Sequence, residues 1–238
     1  KRELVNVKLE DKKIIIFYLF LVFLSMVLAY QINKFFFYTT CFFCISGILY
    51  NVKIFRLKNI AYIDVISEAW NNPIRLYLGW FLIKDNMDLM PPVSFVLFYF
   101  FAGGFLMSAK RLAEVKYFKK FGKKNHIIKY RKSYSIYNEN NLTVACIVYL
   151  MLGAFNITTF LLKYRAELIL LYPFIVFLFS YYFYITLTQS NKAIFPEKIY
   201  LNKKVILLVL LCLLIFFFLI FTDLPIINWL VYKTIFIN

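Results

Sequence analysis

Seven apolar runs, near residues 14–30, 35–50, 62–83, 92–109, 142–162, 167–187 and 204–222, fill most of this chain and limit what it can fold into. Each approaches the ~20 residues that an α-helix needs to cross about 30 Å of hydrocarbon. The second run is short, so it must thin the bilayer or lie deep in protein. Hydrophobic residues make up 63% of the chain and the mean hydropathy is +0.72, which excludes a soluble domain of this size. The runs predict an all-α, polytopic membrane bundle with seven transmembrane helices. No internal repeat, low-complexity tract or Pro/Gly linker divides it, so residues 1–238 read as one domain.

Seven spans of alternating direction sort the loops into two sets. One set carries 22 of the 28 lysines and arginines and the other carries five; Arg75 lies within a run. By the positive-inside rule the richer set is cytoplasmic, with the N-terminus of the chain. The expected location is the cell (inner) membrane, crossed several times. The net charge of +16 is therefore mostly topology, and without a recognised motif it does not indicate a nucleic-acid partner. The pair Cys41 and Cys44 sits in an apolar run without a second ligand pair, and reads as packing.

One run is not uniformly apolar. In YIDVISEAWNNPIRLYLGWFLI, residues 62–83, the residues Asp64, Glu68, Asn71 and Arg75 stand at offsets 0, +4, +7 and +11. At ~100° per residue they fall within a narrow arc. A charged group in hydrocarbon costs at least ~2.5 kcal/mol, so the stripe predicts a polar pocket inside the membrane. A simpler reading is that Asp64 or Glu68 pairs with Arg75 and holds helices together. Pro73 removes a backbone donor within the run and predicts a bend there, as in helices that line cavities.

Other polar groups converge on the cytoplasmic end of this helix. Tyr50, Asn51, Lys53, Arg56 and Lys58 form a basic loop leading into it, and Asn72 lies on it. Lys110, Arg111 and Glu114 end the fourth run. Cations beside paired carboxylates suit a phosphorylated substrate. Lys and Arg bind phosphate oxygens, and carboxylates hold the Mg²⁺ that bridges them. The basic loop at 110–141 is both an orientation signal and a candidate phosphate-collecting cap.

These motifs, in order, are L-K-x-x-x-x-x-D-V at Leu57 to Val65, N-P-x-R-x-x-x-G at Asn72 to Gly79, and S-A-K-R-x-A-E at Ser108 to Glu114. With RKSYSIYNENNL and FPEKIYLNKKVILLVLL further along, the chain resembles the UbiA superfamily of intramembrane prenyltransferases. It is most similar to the branch that moves phosphoribose from phosphoribosyl pyrophosphate onto a polyprenyl phosphate. The family fold has nine transmembrane helices and an N-D-x-x-D-x-x-x-D motif between the second and third. Residues 1–7, KRELVNV, resemble the stretch after that motif, so the seven spans would be helices three to nine, with the first Asp motif upstream.

The resemblance implies a Mg²⁺-dependent transfer from a pyrophosphate donor, with a membrane polyprenyl lipid as partner and a site open to the cytoplasm. On that basis Asp64, Glu68 and Arg75 are expected to be catalytic, with Asp64 and Glu68 holding the metal or an acceptor and Arg75 orienting the carboxylates. Lys53, Arg56, Lys58, Lys110 and Arg111 are expected to bind phosphate, and Tyr50, Asn51, Asn72 and Glu114 to line the pocket. Other readings are prenylation of an aromatic or other small acceptor, a non-catalytic lipid-binding paralogue, and a small transporter.

Overall fold

The structure, a computed structural model, describes residues 11–83, 90–122, 128, 131–188 and 202–227. Among them are seven long helices: α1 (Asp11–Ile32), α2 (Lys34–Asn51), α3 (Ile63–Ile83), α4 (Val93–Lys120), α5 (Glu139–Tyr164), α6 (Tyr172–Thr188) and α7 (Lys203–Phe221). Every apolar run of the sequence becomes one of them. The KRELVNV stretch and the FPEKIY segment lie outside the described residues.

Five of the helices are long and apolar enough to cross a membrane: α1, α4, α5, α7, and α6 together with the 3-10 turn Ala166–Leu171 before it. The exceptions are instructive. Helix α2 has only 18 residues, from Lys34 to Asn51, and α3 carries the charged stripe. These two cannot rely on their own apolarity and lie against neighbours, α2 on α1 and α3, and α3 on α4. Helices α2, α5 and α7 begin at Asn33, Asn138 and Asn202, whose side chains accept from backbone N–H groups of the first turn. Asn33 also donates to the carbonyl of Phe81, which ties the start of α2 to the end of α3.

Helix α4 is the centre of the bundle, packed between α3 and α5, and two adjacent glycines let it serve both. A side chain at Gly103 would strike the Asn72 amide of α3, and one at Gly104 would strike the Tyr149 ring of α5. Close approach through small residues is the usual way membrane helices gain contact, because lipid is as apolar as leucine. Around this seam Phe105, Ala109, Leu112, Leu142 and Cys146 are buried with Tyr134 and Tyr137. A second apolar cluster joins Ile157 and Leu161 of α5 to Leu168, Leu171 and Leu219.

Charged residues close the bundle at opposite ends. Where α3 begins and α4 ends, Asp64 meets Arg111. Where α5 and α7 end, Arg165 meets Asp223 at 2.9 Å and Glu167 at 3.7 Å. Pro73 lies inside the continuous helix α3 and is buried.

Candidate functional site

The first of these two ends gathers most of the polar groups expected to act. It is built on three pieces: the first turn of α3, the last turns of α4, and residues 131–137 leading into α5. Asp64 opens α3, where the positive end of the helix dipole favours a carboxylate. It is fully buried. Arg111 of α4, only 4% exposed, donates from Nε to Asp64 Oδ2 at 2.9 Å and from Nη1 to Glu114 Oε2 at 2.8 Å. The same Nη1 donates to the Tyr134 hydroxyl at 3.1 Å, and Tyr134 donates to Glu114.

The 131–137 segment completes the network. The Tyr137 hydroxyl donates to Asp64 Oδ1 and accepts from the backbone N–H of Tyr62 at 2.7 Å. Tyr62 has a φ of 65°, rare for a bulky L-residue. The bond to Tyr137, with edge-to-face rings 5.3 Å apart, holds it there. Arg131 lies 3.8 Å from Asp64, donates from Nε to the Lys58 carbonyl at 2.7 Å, and bonds the hydroxyl of Tyr50, whose ring lies beneath its guanidinium. Burial and then the charge of Glu114 raise the Tyr134 hydroxyl above the tyrosine range; burial and then Asp64 do the same for Tyr137. Both therefore stay protonated and act as donors.

Two carboxylates, Asp64 and Glu114, thus face two guanidiniums, Arg111 and Arg131. The formal charges cancel, and both oxygens of Asp64 and the Oε2 of Glu114 are engaged within the cluster. Several expectations change as a result. Arg111, expected to bind phosphate, is committed to Asp64 and Glu114. Asp64, expected to hold metal with Glu68, has both oxygens hydrogen-bonded, and among the described residues no three metal-binding side chains cluster. Arg75, expected to orient the carboxylates, stands eleven residues after Asp64, about 16 Å along the axis. It is exposed, with its guanidinium 5.7 Å from the centre of the Phe43 ring. Asn72 packs against Gly103, and Asn71 accepts from Ser46 of α2. The stripe of α3 therefore divides: Asp64 turns to α4, while Asn71 and Arg75 turn to α2.

The remaining cations lie on the rim. Lys58 donates to Asn51 Oδ1 at 3.1 Å. Burial, then the charges of Arg56 and Arg131, lower its ammonium below the usual lysine range. Arg56 has a φ of 35° and a buried Nε with no hydrogen-bond partner among the described residues. Lys53 is exposed, and Lys110 and Glu68 are partly buried. Glu68 lies within electrostatic reach of Tyr50. Arg131, Tyr134 and Tyr137 were assigned no role from sequence; their signal is the three-residue spacing within RKSYSIYNENNL.

Residues 1–203 match the UbiA prenyltransferase family, and the chain belongs to that family. No curated protein and no solved structure matches the chain.

Proposed function

We propose that this UbiA-family chain is part of a membrane transferase that moves phosphoribose from phosphoribosyl pyrophosphate onto a polyprenyl phosphate, at a site open to the cytoplasm. Family membership supports the coarser statement, an intramembrane transferase acting on a polyprenyl substrate. The observation that carries the finer one is uncancelled positive charge beside a cancelled cluster. Lys58 gives its carbonyl to Arg131, Lys53 and Arg56 lie on the same loop as Lys58, and Lys110 directly precedes Arg111. A donor with two phosphate-bearing ends suits such a rim better than an aromatic acceptor would. The loops at this end belong to the set rich in lysine and arginine, which supports the cytoplasmic orientation.

In this reading an oxygen of the polyprenyl phosphate attacks C1 of the ribose. The new C–O bond forms as the bond to pyrophosphate breaks, and pyrophosphate leaves with the electron pair. Lys58 and Arg56 hold the donor phosphates and disperse the charge that grows on the leaving group. The Asp64–Arg111 cluster positions the 131–137 segment, and through it Arg131. Mg²⁺ would enter with the donor and neutralise part of its phosphate charge, and no pair of described carboxylates is assigned to hold it.

The test is transfer by the full-length native protein in lipid nanodiscs, offered labelled phosphoribosyl pyrophosphate and polyprenyl phosphate. The expected result is a phosphoribosylated lipid with one pyrophosphate released per turnover, lost when EDTA removes the divalent ion. Prenylation of an aromatic acceptor instead, uninhibited by phosphoribosyl pyrophosphate, would replace this reading with the other enzyme class. Lipid binding without turnover of either donor would make the chain a non-catalytic relative.

A further inference from the structure

The loop between α2 and α3 changes character at one residue. Residues 51–55, N-V-K-I-F, are all exposed, and residues 56–59, R-L-K-N, are all partly buried. The switch falls at Arg56, whose φ of 35° is a left-handed conformation that turns the chain. Its N–H donates to the Val52 carbonyl at 2.7 Å, so the exposed half is a closed turn. Beyond it Lys58 returns to the bundle, by its bond to Asn51 and by the bond its carbonyl accepts from Arg131. The inner half therefore belongs to the cationic rim, while the outer half projects from the bundle.

That projecting turn is apolar. Turns that face water are built from Gly, Asn, Asp, Pro and Ser, but here Ile54 is 84% exposed and Phe55 is 55% exposed. The helix before the turn explains which solvent it meets. Helix α2 has 18 residues, a rise of about 27 Å, against roughly 30 Å of hydrocarbon. A span that falls short leaves its end, and the turn that follows, at the edge of the acyl layer. An apolar tip enters that layer, and a lysine within it extends its ammonium to the headgroups. Lys53, exposed between Val52 and Ile54, is such a lysine. The loop belongs to the set rich in lysine and arginine, which by the positive-inside rule faces the anionic cytoplasmic leaflet. A protein partner fits less well, because a stable interface takes about 20–30 residues a side and this tip offers a handful.

We propose that residues 52–55 are an interfacial anchor. Ile54 and Phe55 insert into the cytoplasmic leaflet, and Lys53 takes the phosphate of an anionic glycerophospholipid. The anchor goes beyond the transferase reading and does not rest on it. Lys53, expected from the sequence to bind a substrate phosphate, becomes a headgroup ligand, and Arg56 and Lys58 across the turn remain on the rim. Immersion of the tip fixes the turn, and with it the Lys58 carbonyl that accepts from Arg131.

The experiment puts the photo-reactive residue benzoylphenylalanine in place of Ile54 in the full-length protein. The protein is held in vesicles of equal phosphatidylglycerol and phosphatidylcholine. Light joins the probe to its neighbour, and mass spectrometry of the peptide identifies what it touched. The same probe in place of Leu214, exposed midway along α7, is the reference for contact with acyl chains. Phospholipid adducts are expected at both positions, with phosphatidylglycerol preferred at position 54 alone. Lys53→Gln should lower that preference about fivefold, the effect of one cation at an anionic surface, and Lys53→Arg should keep it. Absence of a lipid adduct at position 54, while position 214 gives one, would overturn the proposal. So would a preference that Lys53→Gln leaves unchanged, which assigns it to the other basic loops. A cross-link to another segment of the chain, or in source membranes to another protein, would show the tip covered by protein and overturn it as well.

Discussion

The two charged ends of the bundle use the same ingredients and reach opposite results. At one, Arg111 meets Asp64 and Glu114 with side-chain exposures of 4%, 0% and 16%. At the other, Arg165 at the end of α5 meets Asp223, whose side chain is 88% exposed, and donates to the Thr222 carbonyl at 3.2 Å. Both join an arginine to a carboxylate on another element. Asp64 is withdrawn from water and takes a tyrosine hydroxyl beside its guanidinium, whereas Asp223 stands open to water, although Glu167 beside Arg165 is buried. A buried pair gains little over apolar packing, yet losing one partner is severe because the other charge is stranded. An exposed pair exchanges protein for water at small cost.

That contrast predicts a ranking. The largest effect belongs to Arg111→Ala, which strands Asp64 and Glu114 and should destabilise the bundle by about 3–5 kcal/mol. Urea or thermal unfolding in detergent measures it. Replacing Arg111 by Met together with Asp64 by Leu should cost less than Arg111→Ala alone, since the fully buried Asp64 is then no longer stranded and only the less buried Glu114 loses its guanidinium. Equal or greater loss in the double variant would show that the pair is not mainly a stranded-charge device.

Next comes Tyr137→Phe, which removes a donor to Asp64 and an acceptor for the Tyr62 N–H while keeping the ring. A loss of about 1–3 kcal/mol is expected, and the same stability readout checks it. Lys58→Ala should hardly change stability, within about 0.5 kcal/mol, but should weaken the donor, seen as a higher KM with a smaller change in kcat. Because burial, and then the charges of Arg56 and Arg131, depress the Lys58 ammonium, that residue loses its proton below the usual lysine range. Donor affinity should therefore be full at lower pH and fall as pH rises through that depressed value. A bound phosphate would push it back up, so binding takes up protons, and a pH titration of KM in parent and Lys58→Ala reads the difference. The smallest effect is Asp223→Ala at the exposed end, at about 0–1 kcal/mol. A loss there as large as that of Arg111→Ala would erase the distinction between the two ends.

How far the site was legible depends on the element that carries each residue. Helical residues announce themselves by period. The stripe on α3 marked Asp64, and the S-A-K-R-x-A-E motif marked Arg111 and Glu114, although not that they pair. Residues 131–137 form a short 3-10 turn and loop, where no period exists to read, and so Arg131, Tyr134 and Tyr137 carried no role. Arg75 was read by the same period that found Asp64, but an arc on a helical wheel says nothing of height. A difference of eleven residues separates the two by about 16 Å along the axis, too far for one to orient the other.

What the sequence by itself determined is the solvent each segment needs. Seven apolar runs of membrane length, with basic loops between them, make a helical membrane bundle and leave one helix with charges to hide. Tertiary structure alone decided where those charges go. Gly103 and Gly104 bring α4 within reach of both α3 and α5, so that Arg111 on α4, and not Arg75 on α3, neutralises Asp64. Pairing depends on the distance between atoms of different helices, and no one-dimensional spacing contains that distance.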